Sequence, residues 1–240
     1  MADQDESRAT AYTTLALGDD FRHELEIKRS RFITVMRRAS NEDAARALVA
    51  ELRKEFHDAR HHCSAFVLGP DRVIQRSNDD GEPSGTAGIP MLEALIKRET
   101  LPGVTDLSDV SAVVVRYFGG ILLGAGGLVR AYSESVSAAL DSAPLVQRRR
   151  LRICAVAVPH QAAGRLENDL RSAGFVMAET SYGPTETVLR LALPDDPTAI
   201  ADAGERLAAL TGGASGLQLQ GTEWVDVHVD MPSPDRRHWT

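Results

Sequence analysis

SAVVVRYFGGILLGAGGLVRAY, residues 111–132, changes character twice within a short span. The first part, SAVVVRYF, is apolar almost without interruption, with Arg116 as its one charge. A strand that shows no polar–apolar alternation has both faces covered, so this one is read as central in a sheet. The last part places Leu128, Ala131, Tyr132, Val136 and Leu140 at helical spacing, which predicts a helix from Leu128 to about Leu140. Between them lie Gly119, Gly120, Gly124, Gly126 and Gly127, with no Ser or Thr to cap the helix in the ordinary way. Glycines just ahead of a helix let successive backbone N–H groups turn inward, where the helix dipole adds partial positive charge. That is a plausible anion or phosphate site, with Arg130 expected in the first turn beside it. It is not a P-loop, because GxxxxGK[ST] is absent. The alternative is that the glycines only permit close packing of helix on strand.

Working outward from this unit, FRHELEIKRSRFITVMRR (21–38) reads as two strands, with Ile27, Phe32, Ile33 and Val35 as inward candidates. Ser40 followed by Asp43 resembles a capping box. It opens a helix with Ala45, Leu48, Val49, Leu52 and Phe56 on one face. HHCSAFVLGPDRVIQRS (61–77) reads as two strands joined at a Gly-Pro-Asp turn. A helix carrying Met91, Leu92 and Leu95 follows. Residues 1–10 are expected to be disordered, and the tail DMPSPDRRHWT loose.

A charge cluster and a restart of the strand–helix order place a boundary near residue 148. Beyond it come a strand at LRICAVAVP, a helix at GRLENDLRSA, strands at FVMAETSY and TETVLRLALP, a helix at PTAIADAGERLAALTG and a strand at LQLQGTEWVDVHV. This β-α-β-β-α-β order is that of a ferredoxin-like domain. The fold class expected is therefore α+β in two domains, 1–148 and 149–240.

Composition sets the context. The chain has 240 residues, 43% hydrophobic and 25% charged, ordinary values for a globular protein. No apolar run approaches the roughly 20 residues of a membrane span. MADQDESRAT is acidic and polar, unlike a secretory signal, and Cys63 and Cys154 are the only cysteines. A reducing cytoplasm without membrane association is the expected setting. The net charge is −7, and neither domain is broadly basic. Contact with nucleic acid would therefore need a local patch, and the dense basic clusters are KRSR (28–31) and QRRRLR (147–152). The plain reading of both is a solvated surface.

SNDDGEPSGTAGIP (77–90) crowds Asp79, Asp80 and Glu82 ahead of Ser84, Thr86 and three glycines. Hard oxygen ligands suit Mg²⁺ or Ca²⁺, but the spacing is not that of the twelve-residue calcium loop. The reading favoured is structural: one aspartate caps the turn that follows while another pairs with Arg116, whose charge needs a partner in an apolar strand. His57, His61, His62 and Cys63 lack a fourth zinc ligand at recognisable spacing, and Cys63 is read as a small core residue. No metal, cofactor or catalytic residue is assigned.

EIKRSRF, HHCSAF, DDGEPSGTAGIPML and RYFGGILLGAGGLVRAY, in this order between residues 26 and 132, resemble the IMPACT family. The two-domain length is similar to its bacterial YigZ branch. The family commonly has a lysine in the second glycine motif where this chain has Leu122, so one cation beside the suspected anion site is missing. The resemblance implies a first domain with the left-handed βαβ fold shared by a small-subunit ribosomal protein domain and elongation factor G. It implies a second domain similar to the C-terminal domain of that factor. It also implies a role in regulating translation, through RNA or a ribosome-associated protein partner. On this reading Gly119, Gly120, Gly124, Gly126 and Gly127 shape a backbone donor surface and Arg116 and Arg130 are contacts. Asp79, Asp80, Glu82, Ser84 and Thr86 order the neighbouring wall. The alternative is an enzyme acting on a phosphorylated small molecule or nucleotide at the same surface.

Overall fold

The computed structural model describes residues 7–227 and divides them into two compact units that meet in sequence at Gln147 and Arg148. In the first, the elements run β1 (Ala11–Leu15), β2 (Phe21–Ile27), β3 (Ser30–Arg38), α1 (Glu42–Glu55), β4 (His61–Leu68), β5 (Ile74–Asn78), α2 (Gly88–Ile96), β6 (Val110–Tyr117) and α3 (Ala125–Ser142). Strands β2 to β6 form one antiparallel sheet in the order β2-β3-β6-β4-β5, so β6 is its central strand.

The apolar run of β6 follows from that place. Ala112 and Val114 pack with Phe32, Met36 and Cys63 against Met91 and Leu95 of α2 and Leu128, Tyr132 and Val136 of α3. Val113 and Val115 face the other way, with Ile33 and Val35, onto Leu48 and Leu52 of α1. Helices on both faces leave no water-facing side, so period-2 alternation disappears. Strands β3 and β4 both run antiparallel to β6 and α1 connects them around it.

Four local expectations are corrected. The cap of α1 is Asn41, not Ser40: its side chain accepts the N–H of Ala44 at 2.8 Å. Asp43 is a methylene shorter than the Glu or Gln of a true capping box. Helix α3 starts at Ala125, so Gly126 and Gly127 lie inside it. Its N-cap is Gly124, whose φ of 71° and ψ of 167° suit glycine. Strand β1 went unread, and the expected disorder of residues 1–10 does not extend to its entry. The N–H groups of Arg8 and Ala9 donate to the Asp71 carboxylate at 3.0 and 2.8 Å. Residues 1–6 and the tail 230–240 lie outside the described residues.

The second unit begins within β7 (Leu145–Pro159), which starts six residues earlier than expected, and continues through α4 (His160–Ser172), β8 (Val176–Met177), β9 (Ser181–Tyr182), β10 (Glu186–Leu193), α5 (Pro197–Thr211) and β11 (Gln218–Val227). FVMAETSY is two short strands, not one, both paired to β10. With β11 and β10 on the two edges of β7, the sheet order is fourth, first, third, second, as in ferredoxin-like domains. Cys154, Val156, Leu189 and Leu191 pack beneath Leu166 and Leu170 of α4 and Leu207 of α5. The ends of α5 are specified in sequence: Asp196 accepts the N–H of Ala199, Pro197 opens the helix and Gly212 closes it at φ 62°.

Candidate functional site

The two glycine-rich segments of the first unit leave the sheet at β5 and β6 and lead into α2 and α3. Between Asn78 and Gly88 every carboxylate has an assigned partner. Asp79 turns back on its own loop and accepts the backbone N–H groups of Gly85 at 2.8 Å, Ala87 at 3.0 Å and Gly88 at 2.8 Å. Burial alone would raise its pKa, but these three donors outweigh it and hold the carboxyl below the ordinary aspartate range. Asp80, at φ 44°, accepts the backbone N–H of His62 at 2.6 Å and pairs with Arg53. Thr86 Oγ1 donates to the Pro83 carbonyl at 2.7 Å, and Ser84 is exposed. Gly88 is needed for contact: a Cβ there would come within 2.7 Å of the Asn78 nitrogen.

The partner of Arg116 is Glu82, not an aspartate. Arg116 NH1 donates to Glu82 Oε1 at 2.6 Å, and Tyr132 donates its hydroxyl to the same oxygen at 2.8 Å. The expectation of an aspartate fails on reach. Both aspartate side chains are held by nearby backbone, while the extra methylene of Glu82 carries its carboxylate into the core. Phe32 and Phe118 lie with ring centroids 5.5 and 5.7 Å from the guanidinium carbon. Behind Tyr132, Cys63 Sγ sits 3.3 Å from the hydroxyl and 3.0 Å from the Asp79 carbonyl. Burial pushes its thiol up to about 12 and raises the Tyr132 phenol as well, so neither supplies a nucleophile near neutrality. His62 is buried, and that burial lowers its pKa.

Residues 118–127 are arranged differently. Phe118, Ile121 and Leu122 are exposed, Leu122 at 84%. Gly119 cannot be replaced without a shift, because a Cβ there would fall 2.0 Å from the carbonyl carbon and oxygen of Arg29. Its N–H donates to Ser30 Oγ at 3.2 Å. Gly120 takes φ 84°, and Gly126 has open space where a Cβ would be. Arg130 lies in the second turn of α3, not the first, and its Nε donates to the Gly126 carbonyl at 3.3 Å. Arg116 is buried on Glu82, whereas Arg130 is exposed.

Besides Arg130, the exposed cations of this region come from the hairpin that Gly119 touches. Ile27 pairs with Ser30, which leaves Lys28 and Arg29 as a two-residue turn. Both are exposed and both have positive φ, 47° and 64°. That backbone is the one Asn-Gly ordinarily supplies. Sequence reading saw KRSR only as a basic cluster; the two-residue gap between paired strands was the signal it left unused. Arg31 is bound to Glu24 at 2.7 Å, and in the other basic cluster Arg148 and Arg152 are bound to Asp226 and Asp195 at 3.2 and 2.8 Å.

His61 is the further polar group, one the sequence gave no reason to separate from its neighbours. It pairs across the sheet with Arg116, and its Nδ1 lies 2.9 Å from the Asp80 carbonyl. Among the described residues no group of three or more His, Cys, Asp or Glu side chains is placed to hold a metal ion, and no helix is long and apolar enough to cross a membrane.

Residues 28–140 match the model of the Impact N-terminal domain. The chain is 40% identical over 203 residues to the IMPACT family member YigZ of Escherichia coli (strain K12), covering 82% of this chain and 92% of that protein. It is 47% identical over 160 residues to the IMPACT family member YvyE of Bacillus subtilis (strain 168), covering 67% and 70%. A crystal structure of a hypothetical protein superimposes with a TM-score of 0.54 at 35% identity, covering 89% of this chain and 98% of that one.

Proposed function

The chain belongs to the IMPACT family, and on that premise we propose that it is a cytoplasmic, translation-associated binding protein that contacts RNA through the β2–β3 turn and the glycine loop of its first domain. The observation that carries this reading is the turn itself. Two long basic residues occupy left-handed backbone, which costs on the order of 1–2 kcal/mol per non-glycine residue. A turn retained for its backbone alone would place Asn-Gly there. Lys and Arg serve what their side chains can reach. The turn is seated against Gly119, so its cations and the exposed Phe118, Ile121 and Leu122 belong to one surface. Cations for phosphates beside an aromatic ring for a base are the elements of single-strand recognition. The net charge of −7 keeps the rest of the molecule from contributing.

The test is the double variant Lys28→Asn with Arg29→Gly, read by anisotropy of a fluorescent RNA oligonucleotide across a salt series and by denaturant unfolding. The variant is expected to be more stable than the parent by about 1–2 kcal/mol while losing RNA affinity. The log–log salt slope should become shallower by about 1.4, the share of two cations on single-stranded nucleic acid. Unchanged affinity and slope would remove the turn from the contact, and a parent chain that binds no RNA yet retains ribosome association would move the contact to a ribosome-associated protein and overturn the RNA reading.

A further inference from the structure

We propose that Arg116 and His61 form a site for a ribonucleotide linkage, in which the guanidinium receives the phosphate oxygens and His61 accepts a hydroxyl of the adjoining ribose. This deepens the RNA reading and rests on it.

The site starts from an arginine that is anchored at one end and unmatched at the other. Arg116 is nine-tenths buried, and NH1 carries its one hydrogen bond, to Glu82. Its Nε is buried without a partner. A guanidinium binds oxyanions side-on through Nε and the terminal nitrogen on the same edge, as Arg31 does to Glu24 through Nε and NH2. In Arg116 that edge is the one Glu82 leaves open. A buried donor without an acceptor is costly, and an incoming oxygen at Nε would satisfy it. Glu82 and the two rings fix the guanidinium plane beforehand, so little side-chain entropy remains to be lost on binding.

His61 decides what the anion is attached to. A carbonyl only accepts, so His61 Nδ1 donates to Asp80, and in that tautomer the lone pair lies on Nε2. Directly cross-strand from Arg116, the ring stands on the same face of the sheet. Arg116 therefore asks for an acceptor and His61 for a donor, on neighbouring positions. A carboxylate offers no donor, whereas a ribonucleotide offers a phosphate and a 2′-hydroxyl together.

The experiment compares a ribonucleotide oligomer with its deoxyribonucleotide counterpart, and adds cytidine 3′-monophosphate as a small probe, on the full chain. The parent should favour the ribonucleotide oligomer by about three- to tenfold, the worth of one neutral hydrogen bond. His61→Phe should bring the affinities for the ribonucleotide and deoxyribonucleotide oligomers to parity. Arg116→Lys should weaken both by about ten- to a hundredfold. Should Arg116→Lys fail to fold, the ¹⁵N–¹H resonances of the parent's Arg116 Nε and His61 ring are followed directly, and both should shift with either ribonucleotide probe. A preference untouched by His61→Phe, or resonances unmoved by the ribonucleotide, overturns the site even where the Lys28/Arg29 variant shows that RNA binds. Shifts with the mononucleotide but no binding of any oligomer keep the site, with a free phosphate ester as ligand, and overturn the RNA reading instead.

Discussion

Residues 78–88 and residues 118–127 are the two glycine-rich segments at the ends of β5 and β6, and they use glycine for opposite purposes. In the first, Gly85 and Gly88 bring backbone donors onto Asp79, Asp80 is held by His62 and Arg53, and Glu82 is buried on Arg116 and Tyr132. Each carboxylate is answered from within the fold. In the second, Gly119 brings a basic turn against an apolar loop and the side chains around it face water. Composition alone makes the two alike. What separates them is whether the neighbouring side chains find partners inside the protein, and a segment whose groups are all answered supports the surface made by one whose groups are not.

The strongest way to break this contrast is to remove Glu82. Glu82→Ala strands the buried Arg116 charge and should cost about 3–5 kcal/mol, read from the shift in denaturant midpoint. Arg116→Ala should cost a similar amount, and the double variant far less than the sum. Asp80→Ala, at a half-buried position with its partner Arg53 exposed, should cost much less. Equal losses for Asp80→Ala and Glu82→Ala would show that the loop is not organised around one buried pair.

Asp79 supplies a second, smaller effect with a pH signature. Its folded pKa is depressed, so its contribution is fully present above the unfolded aspartate value of about 3.9 and is lost as pH falls through the lower folded value. Asp79→Asn should reduce stability by about 2 kcal/mol at neutral pH, the range for hydrogen bonds to a charged group. The gap from the parent should close as the solution is acidified below about pH 4. A gap that stayed constant down to strong acid would mean that the three N–H groups bind the side chain without regard to its charge.

Much of the fold was legible because periodicity survives burial. The uninterrupted SAVVV of β6, the buried face of α3 from Leu128 to Leu140 and the caps Asp196 and Gly212 of α5 each state their role locally. The pairings within the site were not legible, because reach and direction are properties of three dimensions. Asp79, Asp80 and Glu82 are interchangeable carboxylates in the sequence, and only the path of the loop decides which one meets Arg116. Strand β1 was missed for the same reason: it is held by Asp106, Ser108 and Pro144, all remote in sequence. His61 was hidden among histidines until the register placed it opposite Arg116.

The smallest effect probes the open segment itself. Gly126 lies in the first turn of α3, exposed, with nothing within 4 Å of where a Cβ would stand. No contact and no left-handed φ requires a glycine there, unlike Gly119, Gly120 and Gly124. Helix propensity then acts alone, and Gly126→Ala should raise stability by up to about 1 kcal/mol. The same substitution places a methyl group beside the N–H groups that open the helix. If ligand approaches that end of α3, RNA affinity should fall while stability rises, and the two readouts move in opposite directions. Stability and affinity that rise together would show that the ligand is confined to the Lys28–Arg29 turn and the Arg116 edge, and that this glycine marks only the freedom of an exposed helix end.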